Sequence, residues 1–160
     1  LGWKVGVLTV SDRVFRGERD DRGGLLLCEL VSRINGEVAV YEIIPDEQPV
    51  IEATLVRFVD EVRCDLVLTT GGTGFAPRDV TPEATKAVIE KEAPGLTEMM
   101  RMKTLLKTKY ASLSRSVAGI RKETLIINFP GNPKGVQECF DVVQPVLSHA
   151  LALIKGKDVH

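Results

Sequence analysis

Unbroken apolar runs alternate with amphipathic stretches along most of the chain. Residues 5–10 (VGVLTV) are continuously apolar and rich in β-branched side chains. That pattern predicts a strand buried on both faces. It runs into Ser11, Asp12 and Arg13 and then a polar stretch to Gly24. Leu27, Leu30, Val31 and Ile34 mark one face of a helix, which Asn35-Gly36 stops. Residues 38–44 predict a second strand ending at Pro45-Asp46-Glu47. Ile51, Leu55, Phe58, Val59 and Val62 mark a second helix face, and residues 65–69 a third strand. That strand leads directly into Gly71-Gly72-Thr73-Gly74.

A helix is predicted to start at Thr81, with Thr81 as its cap, Pro82 in the first helical position and Glu83 in the first turn. Its pattern runs on to about Glu92, and Ala93-Pro94-Gly95 breaks it. Residues 96–106 predict another helix. Residues 111–119 (ASLSRSVAG) have no period and predict a loop or short extended segment. Residues 124–129 (TLIINF) predict a buried strand ending in Pro130-Gly131-Asn132-Pro133. Val136, Phe140, Val143, Leu147, Ala150 and Ile154 line a long final helix.

Buried strands alternating with helices imply an α/β fold. The expectation is a single-domain three-layer αβα architecture over residues 1–160, with a mostly parallel central sheet. In such sheets ligands bind beyond the carboxyl ends of the strands. Ser11-Asp12, residues 71–74 and residues 130–133 all fall there.

Composition narrows the chemistry. The chain has 160 residues, 44% apolar and 27% charged, as soluble globular domains do. Lys and Arg total 21 against 22 Asp and Glu, a net charge of -1. This argues against a dedicated nucleic-acid binder. No apolar run approaches the roughly 20 residues of a membrane helix. The three cysteines, Cys28, Cys64 and Cys139, are widely spaced and form no C-x-x-C pair. That usage suits a reducing compartment, so a cytoplasmic location is expected. With only His149 and His160 as histidines, a His/Cys zinc site and a Ser-His-Asp engine are both poorly supplied.

The loops carry the chemistry instead. Gly71, Gly72 and Gly74 let the backbone approach a ligand and form an anion nest, to which Thr69, Thr70 and Thr73 add hydroxyls. The same glycines also suit a plain strand-to-helix turn. No G-K-[ST] follows, so this is not a P-loop, nor is it G-x-G-x-x-G. Asp46 and Asp79 read either as helix-terminus carboxylates or as a pair facing one pocket. Such a pair can hold Mg²⁺ while substrate phosphates complete the shell, and Asp12 could join them. Arg13, Arg22, Arg78, Arg115 and Lys134 could offset phosphate charge. Ser112, Ser114 and Ser116 offer hydroxyls. Asn132 either contacts a base or shapes its turn. Met99, Met100 and Met102 read as core or subunit-interface filling.

Residues 68–85 (LTTGGTGFAPRDVTPEAT) closely resemble the signature of the molybdopterin adenylyltransferase family, the stand-alone bacterial enzymes and the G domains of gephyrin and its plant counterpart. The likeness extends through residues 5–12 (VGVLTVSD), 21–24, 45–47, 92–95 (EAPG), 113–119 (LSRSVAG), 124–128 (TLIIN) and 130–133 (PGNP). The resemblance implies the molybdenum-cofactor-biosynthesis-protein-like α/β fold and a homotrimer. It implies that the terminal phosphate of molybdopterin attacks the α-phosphate of Mg²⁺-ATP, giving adenylyl-molybdopterin and pyrophosphate. It places Asp46 and Asp79 as catalytic and Mg²⁺-placing aspartates and Gly71, Gly72, Thr73 and Gly74 at the nucleotide and phosphates. It places Ser11, Asp12, Ser114 and Arg115 near molybdopterin, and Pro130, Gly131 and Asn132 beside adenine and ribose. The product would pass to a molybdate-insertion domain, fused or separate. A trimerising scaffold with weak or lost catalysis, or a molybdopterin-binding domain of the metal-insertion type, are the alternatives. The chain departs from the family at Gly23, where serine is usual, and in the basic stretch 103–110 (KTLLKTKY).

Overall fold

The computed structural model describes residues 2–158; His160 lies outside the described residues. Six strands form one sheet: β1 (Trp3–Val10), β2 (Gly36–Ile44), β3 (Leu66–Thr70), β4 (Lys91–Glu92), β5 (Ala118–Arg121) and β6 (Thr124–Phe129). Their spatial order is β2-β1-β3-β6-β5-β4. The first four in that order are parallel, and β5 and β4 are antiparallel. The expected mostly parallel α/β sheet is the one found.

The helices are α1 (Asp12–Phe15), α2 (Arg22–Leu30), α3 (Gln48–Asp60), α4 (Thr81–Val88), α5 (Pro94–Leu105) and α6 (Pro133–Ile154). Strand alternation divides the core between the two sheet faces. Val5, Val7, Leu66, Leu68, Leu125 and Ile127 pack with α2, α5 and α6 on one face. Leu8, Val10, Val67 and Ile126 pack with α3 and α4 on the other. The chain leaves β1 in one direction to reach β2, then crosses back to β3. That reversal is the crevice in which doubly wound sheets hold ligands.

Three local expectations are corrected, and a fourth, for residues 111–119, is borne out in part. Thr81 does not cap α4: Val80 holds the cap position, and no side chain bonds there. Thr81 is already helical, and its amide donates to the Gly72 carbonyl. The helix ends at Val88 rather than near Glu92. Ile89 turns extended, and Glu90 N and Ala93 N donate to Ile120 O and Ala118 O. Pairing with β5 thus overrides the helical pattern. Residues 111–119 span part of a 3₁₀ turn (Lys109–Leu113) and the start of β5. The first long helix becomes 3₁₀ over Val31–Ile34, and left-handed Asn35 ends it as expected.

Of the methionines, Met100 is core and Met99 packs against it, but Met102 is exposed. Among the described residues no helix is long and apolar enough to cross a membrane.

Candidate functional site at the carboxyl edge of the sheet

The loops after β1, β2, β3 and β6 converge at one end of the sheet. Gly71 and Gly72 both have positive φ, +98° and +67°. A Cβ on Gly71 would overlap the Val10 carbonyl oxygen. One on Gly72 would overlap Thr81 Oγ1 and stand 3.0 Å from Asp46 Oδ1. Glycine is therefore required twice, once by conformation and once by packing against β1 and α4.

Two cavities of about 550 Å³ each open on either side of this loop. Gly72, Asp79, Gly131 and Asn132 line both. One cavity collects carboxylates: Asp20, Asp21, Asp46 and Asp79, with Arg19, Arg22 and Ser11. The other lies against α5 and the 3₁₀ turn and is lined by Arg101, Lys134, Tyr110, Ser114 and Ser116, among others, with Lys107 held by Glu138 at 3.3 Å.

Asp46 and Asp12 are tied reciprocally. Asp12 N donates to Asp46 Oδ2 at 2.8 Å, and Asp46 N donates to Asp12 Oδ1 at 3.0 Å. Asp46 is therefore no helix cap. Burial, with the charges of Asp12 and Asp79 nearby, pushes its carboxyl above the ordinary aspartate range. Asp12 behaves oppositely: the Arg78 guanidinium, 2.6 Å away, holds its carboxyl below that range. Arg78 also reaches Glu47 at 2.9 Å. Arg78 is thus engaged within the protein and does not line either cavity.

Asp79 Oδ2 accepts from Ala76 N at 3.0 Å, within its own loop. Arg115 braces that loop. Its Nε donates to Gly74 O at 2.8 Å, Nη2 to Asp79 O at 2.7 Å and Nη1 to Glu83 at 2.6 Å. Its amide donates to Thr73 O. The guanidinium faces the loop backbone rather than either large cavity.

The remaining sequence candidates divide. Asn132 caps α6 by accepting from Gly135 N at 2.6 Å. Ser114 donates to Ser116, and both line the cationic cavity, whereas Ser11 lies across the loop in the carboxylate cavity. Asp12 and Arg13 line neither cavity. Sequence reading missed Arg101, whose Nη1 donates to Ser116 O at 3.0 Å at the cavity wall. It also missed Asp21, a buried carboxylate that accepts from Thr9, Gly24 N and Tyr41. The basic stretch 103–110 has a place after all, because Lys107, Thr108 and Tyr110 line the cationic cavity. Gly23 also gains a reason: a Cβ there would stand 2.8 Å from Gly131 O, so its absence lets the last loop close over α2.

Residues 6–149 match the family described as "Probable molybdopterin binding domain". A Helicobacter pylori protein named molybdopterin adenylyltransferase is 47% identical over 154 residues, 95% of this chain and 88% of that protein. This chain belongs to the molybdopterin adenylyltransferase family.

The molybdenum cofactor synthesis protein cinnamon of Drosophila melanogaster is 44% identical over 96% of this chain, which spans 26% of that longer protein. The solved molybdopterin biosynthesis enzyme MoaB of Thermus thermophilus superposes with a TM-score of 0.91 at 51% identity, covering 99% of both chains. The family resemblance and the fold it implied are both borne out.

Proposed function

We propose that this chain adenylylates molybdopterin in molybdenum cofactor biosynthesis. A phosphate oxygen of molybdopterin attacks the α-phosphorus of ATP. The bond from that phosphorus to the bridging oxygen breaks, and pyrophosphate leaves with the electron pair. One observation carries the reading: a cavity rich in carboxylates and a cavity bearing Arg101, Lys107 and Lys134 meet at Gly72 and Asp79. A nucleotide carrying Mg²⁺ can enter the carboxylate-rich cavity and a pterin phosphate the other, which brings their phosphates together. Alignment and charge neutralisation are most of what such a transfer requires.

The donor set fits Mg²⁺. Asp46 and Asp79 offer hard oxygens to one cavity. Among the described residues no group of three acidic, His or Cys side chains forms a closed metal cage. Mg²⁺ usually takes one or two carboxylates and leaves its other positions to water and phosphate. When bound, it would neutralise phosphate charge. The chain's own residues do the rest. Asp46 and Asp79 orient the nucleotide phosphates in the carboxylate cavity. Gly71 to Gly74 bring backbone close to them. Arg101, Lys107, Lys134 and Ser114 receive the pterin phosphate from the other side. Pro130, Gly131 and Asn132 border the nucleotide.

We further propose a cytoplasmic homotrimer that passes its product to a molybdate-insertion domain, fused or separate. Exposed Met102, Leu106 and Tyr110 support association. A monomer by light scattering at micromolar concentration overturns the trimer.

The activity test is formation of adenylyl-molybdopterin from Mg²⁺-ATP and molybdopterin, with Asp79→Asn alongside. The unmodified chain should form product, and the variant about 10²–10³-fold less. A folded chain that binds molybdopterin yet forms no product would overturn adenylylation and favour the scaffold or insertion-type reading.

A further inference from the structure

Among the described residues, Thr81 Oγ1 is the one buried side-chain oxygen or nitrogen without a hydrogen-bond partner. Thr81 is fully buried, with 0% exposure. Its backbone amide is satisfied by Gly72 O at 3.1 Å, so only the hydroxyl is left over. Burying a hydroxyl unpaired is unfavourable, and native folds rarely tolerate it without a reason.

The surroundings supply one. Thr81 Oγ1 and Asp46 Oδ1 both abut the same hydrogen of the Gly72 α-carbon. Asp46 Oδ2 is held by the Asp12 amide, but among the described residues Oδ1 accepts no hydrogen bond. A donor without an acceptor and an acceptor without a donor thus face each other across a glycine. Gly71 and Gly72 also line the carboxylate cavity. Both oxygens stand within 3.0 Å of the place a Cβ on Gly72 would take, so the position of Gly72 sets their separation.

We propose that Thr81 is a positioning residue for Asp46: its hydroxyl, unpaired in the ligand-free fold, donates to Asp46 Oδ1 when the glycine loop closes on the phosphates of a Mg²⁺-nucleotide. Oδ1 keeps its second lone pair for the cavity. The unfavourable burial in the free protein becomes a hydrogen bond to a charged group in the complex, so the loop's closed state gains selectively. The inference rests on the nucleotidyl-transfer reading above.

Thr81→Ser and Thr81→Ala differ only in the hydroxyl, which separates its role from packing of the methyl group. Melting temperature without ligand and calorimetric affinity for ATP, with and without Mg²⁺, should be measured for both. Thr81→Ala should melt at or above Thr81→Ser. It should bind Mg²⁺-ATP about tenfold more weakly, the size expected for one hydrogen bond to a charged group. Affinity for ATP without Mg²⁺ should differ much less between the two. Equal Mg²⁺-ATP affinities would overturn the proposal. So would a clearly lower melting temperature for Thr81→Ala, which would mean the hydroxyl already has a structural bond. If the unmodified chain shows no Mg²⁺-dependent nucleotide binding, the nucleotidyl-transfer reading itself fails.

Discussion

The two ends of the sheet use the same materials in opposite ways. At the amino end, a cavity of about 390 Å³ is lined by Asp60, Arg63, Cys64, Lys122, Glu123 and Lys155, among others. Charges there neutralise one another: Arg121 and Lys122 hold Asp60 at 3.1 Å, and Lys155 holds Asp65 at 2.8 Å and Glu123 at 3.4 Å. At the carboxyl end, Asp46 and Asp79 have no cationic side chain bonded to them, and the arginines beside them hold other groups. Backbone conformation differs in parallel. Left-handed residues at the amino end include Asn35, Arg63 and Lys122, with φ of 57°, 61° and 52°; those in the glycine loop are Gly71 and Gly72. A side chain can occupy such a conformation at some energetic disadvantage where space is open. Against β1 and α4 it cannot. A binding edge is thus recognisable as the place where charge is left unneutralised and backbone packs too closely for side chains.

The sharpest way to break this contrast is Gly71→Ala. It combines a φ of +98° with overlap on the Val10 carbonyl. Stability should fall by about 3 kcal/mol or more, read as a lower urea midpoint. A near-normal midpoint would show that the loop is looser than its packing indicates.

Next is Arg115→Ala, which removes three bonds that brace the loop around Asp79. Product formation should drop about tenfold or more, since small misplacements of positioning groups are expensive. Arg115→Lys should recover part of it, because lysine keeps the charge without the planar fork. If Arg115→Ala loses molybdopterin affinity while kcat stays unchanged, Arg115 contacts the pterin instead of bracing the loop.

Asp46→Asn should separate activity from stability. The carboxyl's raised pKa means the folded state holds its proton more tightly than the unfolded chain does. Stability from this group is therefore present at low pH and is lost as pH rises through its folded-state value. At neutral pH ionised Asp46 opposes folding, so Asp46→Asn should melt higher, with activity lost. The gain should fade as pH drops below the ordinary aspartate range. A lower melting temperature at pH 7 would show that the Asp12 amide bond outweighs burial.

The smallest effect belongs to the amino end. Arg63→Gly relieves a left-handed non-glycine residue and should shift stability by no more than about 1 kcal/mol, in the stabilising direction or near zero. Product formation should not change. A large loss of activity would erase the distinction between the two ends.

Much of this fold is legible in the residue pattern. Residues 124–129 are a strand to the residue, and 5–10 fall inside β1, because a parallel strand covered on both faces must be apolar throughout. β4 and β5 are not legible. β4 is two exposed charged residues, and β5 starts in a stretch of small residues. Their conformation comes from pairing, a property of the neighbouring strand rather than of their own side chains. The same division runs through the site. Gly71, Gly72 and Asp46 stand out because each falls at a predicted strand end, and Asp79 because it precedes a predicted helix. Arg101 and Asp21 do not, since nothing local marks an arginine that bonds a carbonyl fifteen positions away or a carboxylate buried under a tyrosine.

By itself, then, the sequence determined the alternation of strands and helices, the sheet edge at which the candidate site lies and the family to which the chain belongs. These depend on local periodicity and on short ordered motifs. Only the tertiary structure decided that Asp46 and Asp79 share a cavity, that Arg115 holds the loop and that Thr81 lies buried with an unpaired hydroxyl. Each of those facts is a relation between groups on different segments of the chain. Hydrogen bonds and burial depend on distance in space, and the order of residues along a chain does not specify that distance.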